Sequence, residues 1–82
     1  MYTVYVLQDK NDKIYKGFTN NLARRLKEHR SGMSRTTSRM EELVVVYTET
    51  YKTLAEARKR ELYLKSAAGR RFLKNKIAIM PR

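Results

Sequence analysis

The sequence predicts a small α+β domain. A three-stranded, mostly antiparallel sheet is flanked by helices in the order β-β-α-β-α, with a further short helix or tail at the end. Three observations predict it. Two segments rich in β-branched and aromatic residues open the chain, with a turn cluster between them. Two later segments space their apolar residues with a helical period and carry their own cap residues. A nearly continuous apolar run stands between those helices. Eighty-two residues allow one such domain, covering 1–82, and 41% hydrophobic content suffices for one modest core.

Each element has a local reason. Tyr2 to Leu7 is the first strand, Asp9-Lys10-Asn11-Asp12 a turn cluster, and Ile14 to Thr19 the second strand, so residues 2–19 form a hairpin. Alternation sets Thr3, Tyr5 and Leu7 on one face and Tyr15, Gly17 and Thr19 on one face, so Tyr5 and Tyr15 can share a side. A glycine inside a strand, here Gly17, implies close approach of another backbone or a ligand. Thr19-Asn20-Asn21 offers N-caps, and Leu22, Arg25, Leu26 and His29 form one helical stripe that ends at Ser31-Gly32. Residues 33–41 read as a polar, basic loop. Leu43 to Thr48 is the third strand, and its apolar continuity predicts a central strand or one covered on both faces. Thr53 and Glu56 form a capping-box pattern for the second helix, which is expected to run to about Ala68 and stop at Gly69. Arg70 to Ile79 is a short basic helix or an ordered tail.

Charge and composition exclude several classes. Nineteen Lys and Arg against eight Asp and Glu leave a net charge of +11. Cysteine is absent and histidine occurs once, which excludes a disulfide framework, a thiolate zinc site and a multi-histidine metal cage. The longest apolar run, Leu43 to Tyr47, is far below the ~20 residues that span a bilayer. The N-terminal segment lacks the basic region and small-residue cleavage site of a signal peptide. The expectation is a cytoplasmic protein with a polyanionic partner and no membrane role. The cations cluster. Arg24, Arg25, Lys27, Arg30, Arg35 and Arg39 face one acid, Glu28, and Arg58, Lys59, Arg60, Lys65, Arg70, Arg71, Lys74 and Lys76 face Glu61. A solvated cationic surface is the plain account. A phosphate-backbone footprint, with Arg24, Lys27, Arg30, Arg35, Arg39, Lys65, Arg70, Arg71 and Lys74 as its contacts, explains the excess better.

Two helical stripes carry candidate chemistry. Leu54, Ala57, Glu61 and Leu64 share a face, which places Glu61 in an apolar stripe. A carboxylate there needs a partner. That partner is either Lys65, one turn on, or a hard cation such as Mg2+ or Mn2+, which prefers oxygen ligands. On the first helix, Arg25 and His29 lie one turn apart. They are either edge residues satisfied locally or a guanidinium fork and an imidazole aimed at one phosphate.

These positions together resemble the small stand-alone members of the GIY-YIG nuclease superfamily. Thr3-Val4-Tyr5 matches the first motif through Tyr5, with Thr3 and Val4 in place of Gly and Ile. Tyr15-Lys16-Gly17 matches the second, with Lys16 in place of an apolar residue. Arg25 and His29 follow Tyr15 at the family's spacing, and Glu56 to Lys65 resembles the family's later helix, with Glu61 at the metal-binding glutamate. The resemblance covers nearly the whole chain and implies divalent-metal-dependent hydrolysis of a phosphodiester; the substrate is expected to be DNA more than RNA, with RNA left open. It implies that Glu61 holds one Mg2+ or Mn2+ ion and that Arg25 stabilises the phosphate. Tyr5 or Tyr15 activates water, directly or by relay through His29, and Gly17 lets the backbone pass close to the site. The other readings are a non-catalytic nucleic-acid-binding module of the same fold, and an accessory subunit that docks a protein partner through its basic face.

Overall fold

The computed structural model describes residues 1–32, 37 and 40–78. The elements are β1 (Tyr2–Gln8), β2 (Ile14–Thr19), α1 (Leu22–Arg30), β3 (Val44–Tyr51), α2 (Leu54–Lys65) and α3 (Ala67–Ala78). The three strands form one antiparallel sheet in the order β2-β1-β3. This is the expected α+β arrangement. No helix among the described residues is long and apolar enough to cross a membrane.

The hairpin forms where turn chemistry demands it. The Asp9 carboxylate accepts the backbone N–H groups of Asn11 and Lys13 at 2.9 and 2.8 Å, an Asx-type turn, and Asp12 takes a left-handed φ of 67°. The register then pairs Tyr5 with Gly17 and Leu7 with Tyr15. Tyr5 and Tyr15 therefore share a face, as alternation requires.

The central strand is β1, not β3. The run at 43–47 divides its side chains between two cores, Leu43 and Val45 in one and Val46 and Tyr47 in the other, yet β3 lies at an edge and Val44 is 56% exposed. Continuity of apolar residues reports covered faces and says nothing about lateral neighbours. A bulge opposite Val6 and Leu7 leaves Val46 without a partner, and β3 continues to Tyr51, beyond the expected Thr48.

Because side chains alternate across β1, the sheet builds two cores. Val4 and Val6 pack with Ala57, Leu64 and Leu73 of α2 and α3. Tyr5 and Leu7 pack on the opposite face with Leu22 and Leu26 of α1, Tyr15 and Leu43. Helix α1 begins at Asn21, whose side chain accepts the Arg24 N–H at 3.0 Å, and ends at Ser31 with Gly32 at φ +78°. Helix α2 is capped by Thr53, which accepts the Glu56 N–H at 3.2 Å. Its first residue, Leu54, is 51% exposed, so the buried stripe starts one turn later than expected.

Gly69 does not stop α2. The helix ends at Lys65, where Ser66 turns to an extended conformation (ψ 168°) and then caps α3 by accepting the Gly69 N–H at 3.2 Å. Gly69 lies inside α3, because a Cβ there would sit 2.0 Å from the Tyr63 carbonyl oxygen. Its role is close helix–helix packing at the corner, and the segment expected as a separate short helix or tail begins earlier, at Ala67.

Candidate active site

Four of the predicted site residues converge on the α1 side of the sheet. Tyr5 from β1 is 1% exposed, and its hydroxyl lies 2.8 Å from His29 Nε2 on α1. The Tyr15 ring from β2 meets the His29 ring edge-on at 4.9 Å between centroids and the Tyr5 ring at 6.1 Å. Arg25, one turn before His29, donates to Glu28 at 2.9 Å. Its pKa is held above the ordinary guanidinium value, chiefly by Glu28 and then by the Tyr5 and Tyr15 phenols, against the effect of burial. Helical spacing on α1 and strand alternation on β1 and β2 thus aim an arginine, an imidazole and two phenols at one place.

Gly17 makes that convergence possible. A Cβ at Gly17 would lie 2.9 Å from the Tyr5 hydroxyl and 3.0 Å from Tyr15 Cε1. The glycine in the strand is explained by two aromatic side chains crossing over it, not by approach of another backbone.

The electrostatics are those of a buried, cation-flanked pocket. Burial first, and the neighbouring Tyr15 second, push the Tyr5 phenol well above its usual range, while Arg25 pulls it part of the way back. Burial and the Arg25 charge hold His29 below its usual pKa, with Glu28 opposing them. The imidazole is therefore neutral at pH 7, and Tyr5 is a protonated phenol beside it. His29 Nδ1 faces Thr37 Oγ1 at 2.7 Å.

Glu61 is carried by α2. It lies on the sheet-facing side of α2, between Ala57 and Leu64, with its side chain 12% exposed. Its partner is Lys65, with Nζ 3.4 Å from Oε1. No hydrogen bond or ion pair among the described residues joins it to Tyr5, Tyr15, Arg25 or His29. Burial first, and the charges of Arg70 and Lys65 next, lower the pKa of Lys16 in β2.

The comparisons with known proteins bear on the family and the fold. The profile of the GIY-YIG catalytic domain matches residues 1–76. The chain belongs to the GIY-YIG family. Among similar GIY-YIG relatives, a UPF0213 protein of Clostridium perfringens is 39% identical over 66 residues, 79% of this chain and 71% of that one. A UPF0213 protein of Desulfotalea psychrophila is 37% identical over 70 residues, 83% of this chain and 64% of that one. The solution NMR structure of a UPF0213 protein from Bacillus halodurans matches 92% of this chain and 84% of its own, with a TM-score of 0.57 and 29% identity. The family is one of nuclease folds, and this GIY-YIG chain shares its architecture.

The cationic side chains of this GIY-YIG domain lie on its surface. Arg24, Lys27, Arg30, Lys65, Arg70, Arg71 and Lys74 are all exposed. Arg35 and Arg39 lie outside the described residues. A cleft of about 450 Å3 between Tyr2, Phe18, Thr19, Arg24, Arg25 and Leu54 opens beside the arginines. Arg60 is withdrawn from the cationic surface. It donates to both carboxylate oxygens of Glu49 in β3, at 2.8 and 3.0 Å, and lies over the Tyr63 and Phe72 rings at 4.7 and 5.0 Å. Tyr47 and Tyr51 also donate to Glu49. Burial raises the Glu49 pKa, but these donors outweigh it and hold the carboxyl below its ordinary range. Spacing along the chain gave no signal for this network, since it joins two elements through a pair eleven residues apart.

Proposed function

We propose that this chain is a divalent-metal-dependent endonuclease that hydrolyses phosphodiester bonds in the cytoplasm, in DNA in preference to RNA. The observation that carries the reading is the convergence of Tyr5, Tyr15, Arg25 and His29 over Gly17, in a domain with a large excess of exposed cations. Arg25 meets the phosphate as a fixed donor, and a preorganised donor of this kind is worth roughly 3–4 kcal/mol in the transition state. The exposed lysines and arginines hold the flanking phosphates. Tyr15 is the phenol that meets the attacking water, because Tyr5 is buried behind it. Neither phenol needs to exist as a free phenolate. The proton lost by water passes to Tyr15, the Tyr15 proton to Tyr5, and the Tyr5 proton to His29 Nε2, where a neutral imidazole receives it.

The donor set fits a hard cation at Glu61. The carboxylate keeps a path to solvent, its lysine contact of 3.4 Å is longer than a tight charge-assisted bond, and Mg2+ or Mn2+ commonly takes one or two carboxylates and keeps several waters. An ion held there would neutralise charge on the phosphate and leaving oxygen.

The deciding experiment screens plasmid, single-stranded, flap, branched and RNA substrates with Mg2+ or Mn2+, with an EDTA control and the Glu61→Gln protein alongside. Metal-dependent cleavage is expected, lost in Glu61→Gln while nucleic-acid binding persists. Full cleavage by Glu61→Gln would remove the metal role. The existing Glu61–Lys65 ion pair favours the second reading, a non-catalytic nucleic-acid-binding module. Salt-sensitive binding without cleavage of any substrate would establish it.

A further inference from the structure

The hydrogen-bond chain behind the two phenols ends on a residue that neither motif nor spacing singles out. Thr37 is fully buried, and its Oγ1 lies 2.7 Å from His29 Nδ1. Its carbonyl accepts the Met40 N–H at 2.9 Å. His29 therefore stands between two hydroxyls, Tyr5 at Nε2 and Thr37 at Nδ1. Among the described residues, the other groups that face it are the Tyr15 ring from β2 and the Arg25 and Glu28 charges on its own helix.

A neutral imidazole has one N–H and one lone pair, so only one of the two hydroxyls can donate to it. Burial and Arg25 keep the ring neutral. A phenol is a much stronger hydrogen-bond donor than an alkyl alcohol, and the alcohol oxygen is the better acceptor. The phenol therefore donates to Nε2, and the ring N–H donates to the threonine.

We propose that Thr37 is the positioning residue that holds His29 in its Nδ1–H tautomer, with the Nε2 lone pair presented to Tyr5 as the proton acceptor. In the opposite tautomer Nε2 carries a proton and cannot take another. When Nε2 receives the Tyr5 proton, the resulting imidazolium donates from both nitrogens, to Tyr5 and to Thr37. Thr37 touches no reacting atom. It acts through the ring.

The kinetic arm of the test rests on the endonuclease reading; the spectroscopic arm does not. His29 is the only histidine in the chain, so the full-length protein made with 15N-labelled histidine shows one imidazole spin system. At pH 7–8 the wild-type protein should show the proton on Nδ1, the form less favoured by a free histidine side chain in water. Thr37→Val, which keeps the shape and removes the hydroxyl, should move the proton to Nε2, and Thr37→Ser should restore Nδ1–H. In cleavage assays Thr37→Val should lower kcat by about 10–100-fold, the size usual for loss of an orienting contact, with KM unchanged, and Thr37→Ser should recover the rate. An Nε2–H tautomer in the wild-type protein, or an unchanged tautomer in folded Thr37→Val, would overturn the assignment. Predicted tautomers in a chain that cleaves nothing would leave the Thr37 assignment standing and remove the endonuclease reading.

Discussion

Replacing Gly17 by alanine presses on the centre of the proposed site. The new methyl group would start 2.9 Å from the Tyr5 hydroxyl, where ordinary contact begins near 3.4 Å, so the hydroxyl has to retreat by about half an ångström. It is held 2.8 Å from His29 Nε2 and has no solvent to move into. A shift of that size takes the bond to the edge of good geometry. Overpacking of this kind costs roughly 1–3 kcal/mol, which in a domain of this size lowers Tm by roughly 5–20 °C. A misplacement of ~1 Å can cost ~100-fold in rate, so half of that should lower turnover by about tenfold. The assay pairs thermal unfolding with metal-dependent nicking of plasmid, with nucleic-acid affinity measured at matched salt. Both Tm and turnover should fall while affinity stays within about twofold. A Gly17→Ala protein with wild-type Tm and turnover would show that the two phenols do not crowd this position, and the account of the site would fail.

Arg25→Ala should lower turnover by ~100-fold or more, measured under saturating substrate; a loss confined to affinity would make Arg25 a backbone grip only. Binding to duplex DNA should weaken by about 0.9 log units per log unit of salt for each phosphate neutralised, read from titrations between low and moderate salt, and a flat salt response would remove the cationic footprint. The Glu49 carboxyl, held below its ordinary pKa by Arg60, Tyr47 and Tyr51, binds protons less readily folded than unfolded. Its stabilisation is therefore complete above the unfolded carboxyl pKa of ~4.3 and is lost as pH falls through the folded value. Chemical unfolding between pH 3 and 6 should show this loss in the wild-type protein and a shallower pH slope in Glu49→Gln. Equal slopes would count against the network.

Much of the architecture was legible because local rules governed it. Alternation placed Tyr5 and Tyr15 on one face, helical spacing placed Arg25 and His29 on one stripe, and the caps at Asn21 and Thr53 lay where side-chain chemistry put them. What escaped depends on contacts between distant segments. Which strand takes the centre is decided by lateral pairing, and an apolar run such as 43–47 reports only its covered faces. Gly69 read as a stop because glycine often ends helices, but the close approach of Tyr63 required it inside one. Arg60 counted as one more surface cation until Glu49 was brought beside it by folding. Thr37 belongs to a stretch with no periodicity at all, and only its arrival next to His29 gives it meaning.

Strand β1 carries scaffold and chemistry on alternating residues: Val4 and Val6 toward α2 and α3, Tyr5 and Leu7 toward α1. A slip of one residue in its pairing would exchange the two sets, putting a phenol into the aliphatic layer and a valine where a proton must travel. Misregistered chains forfeit stability and reactivity in the same step. If the proposed endonuclease reading holds, activity would then appear only with the native register, a safeguard that comes from the pleat.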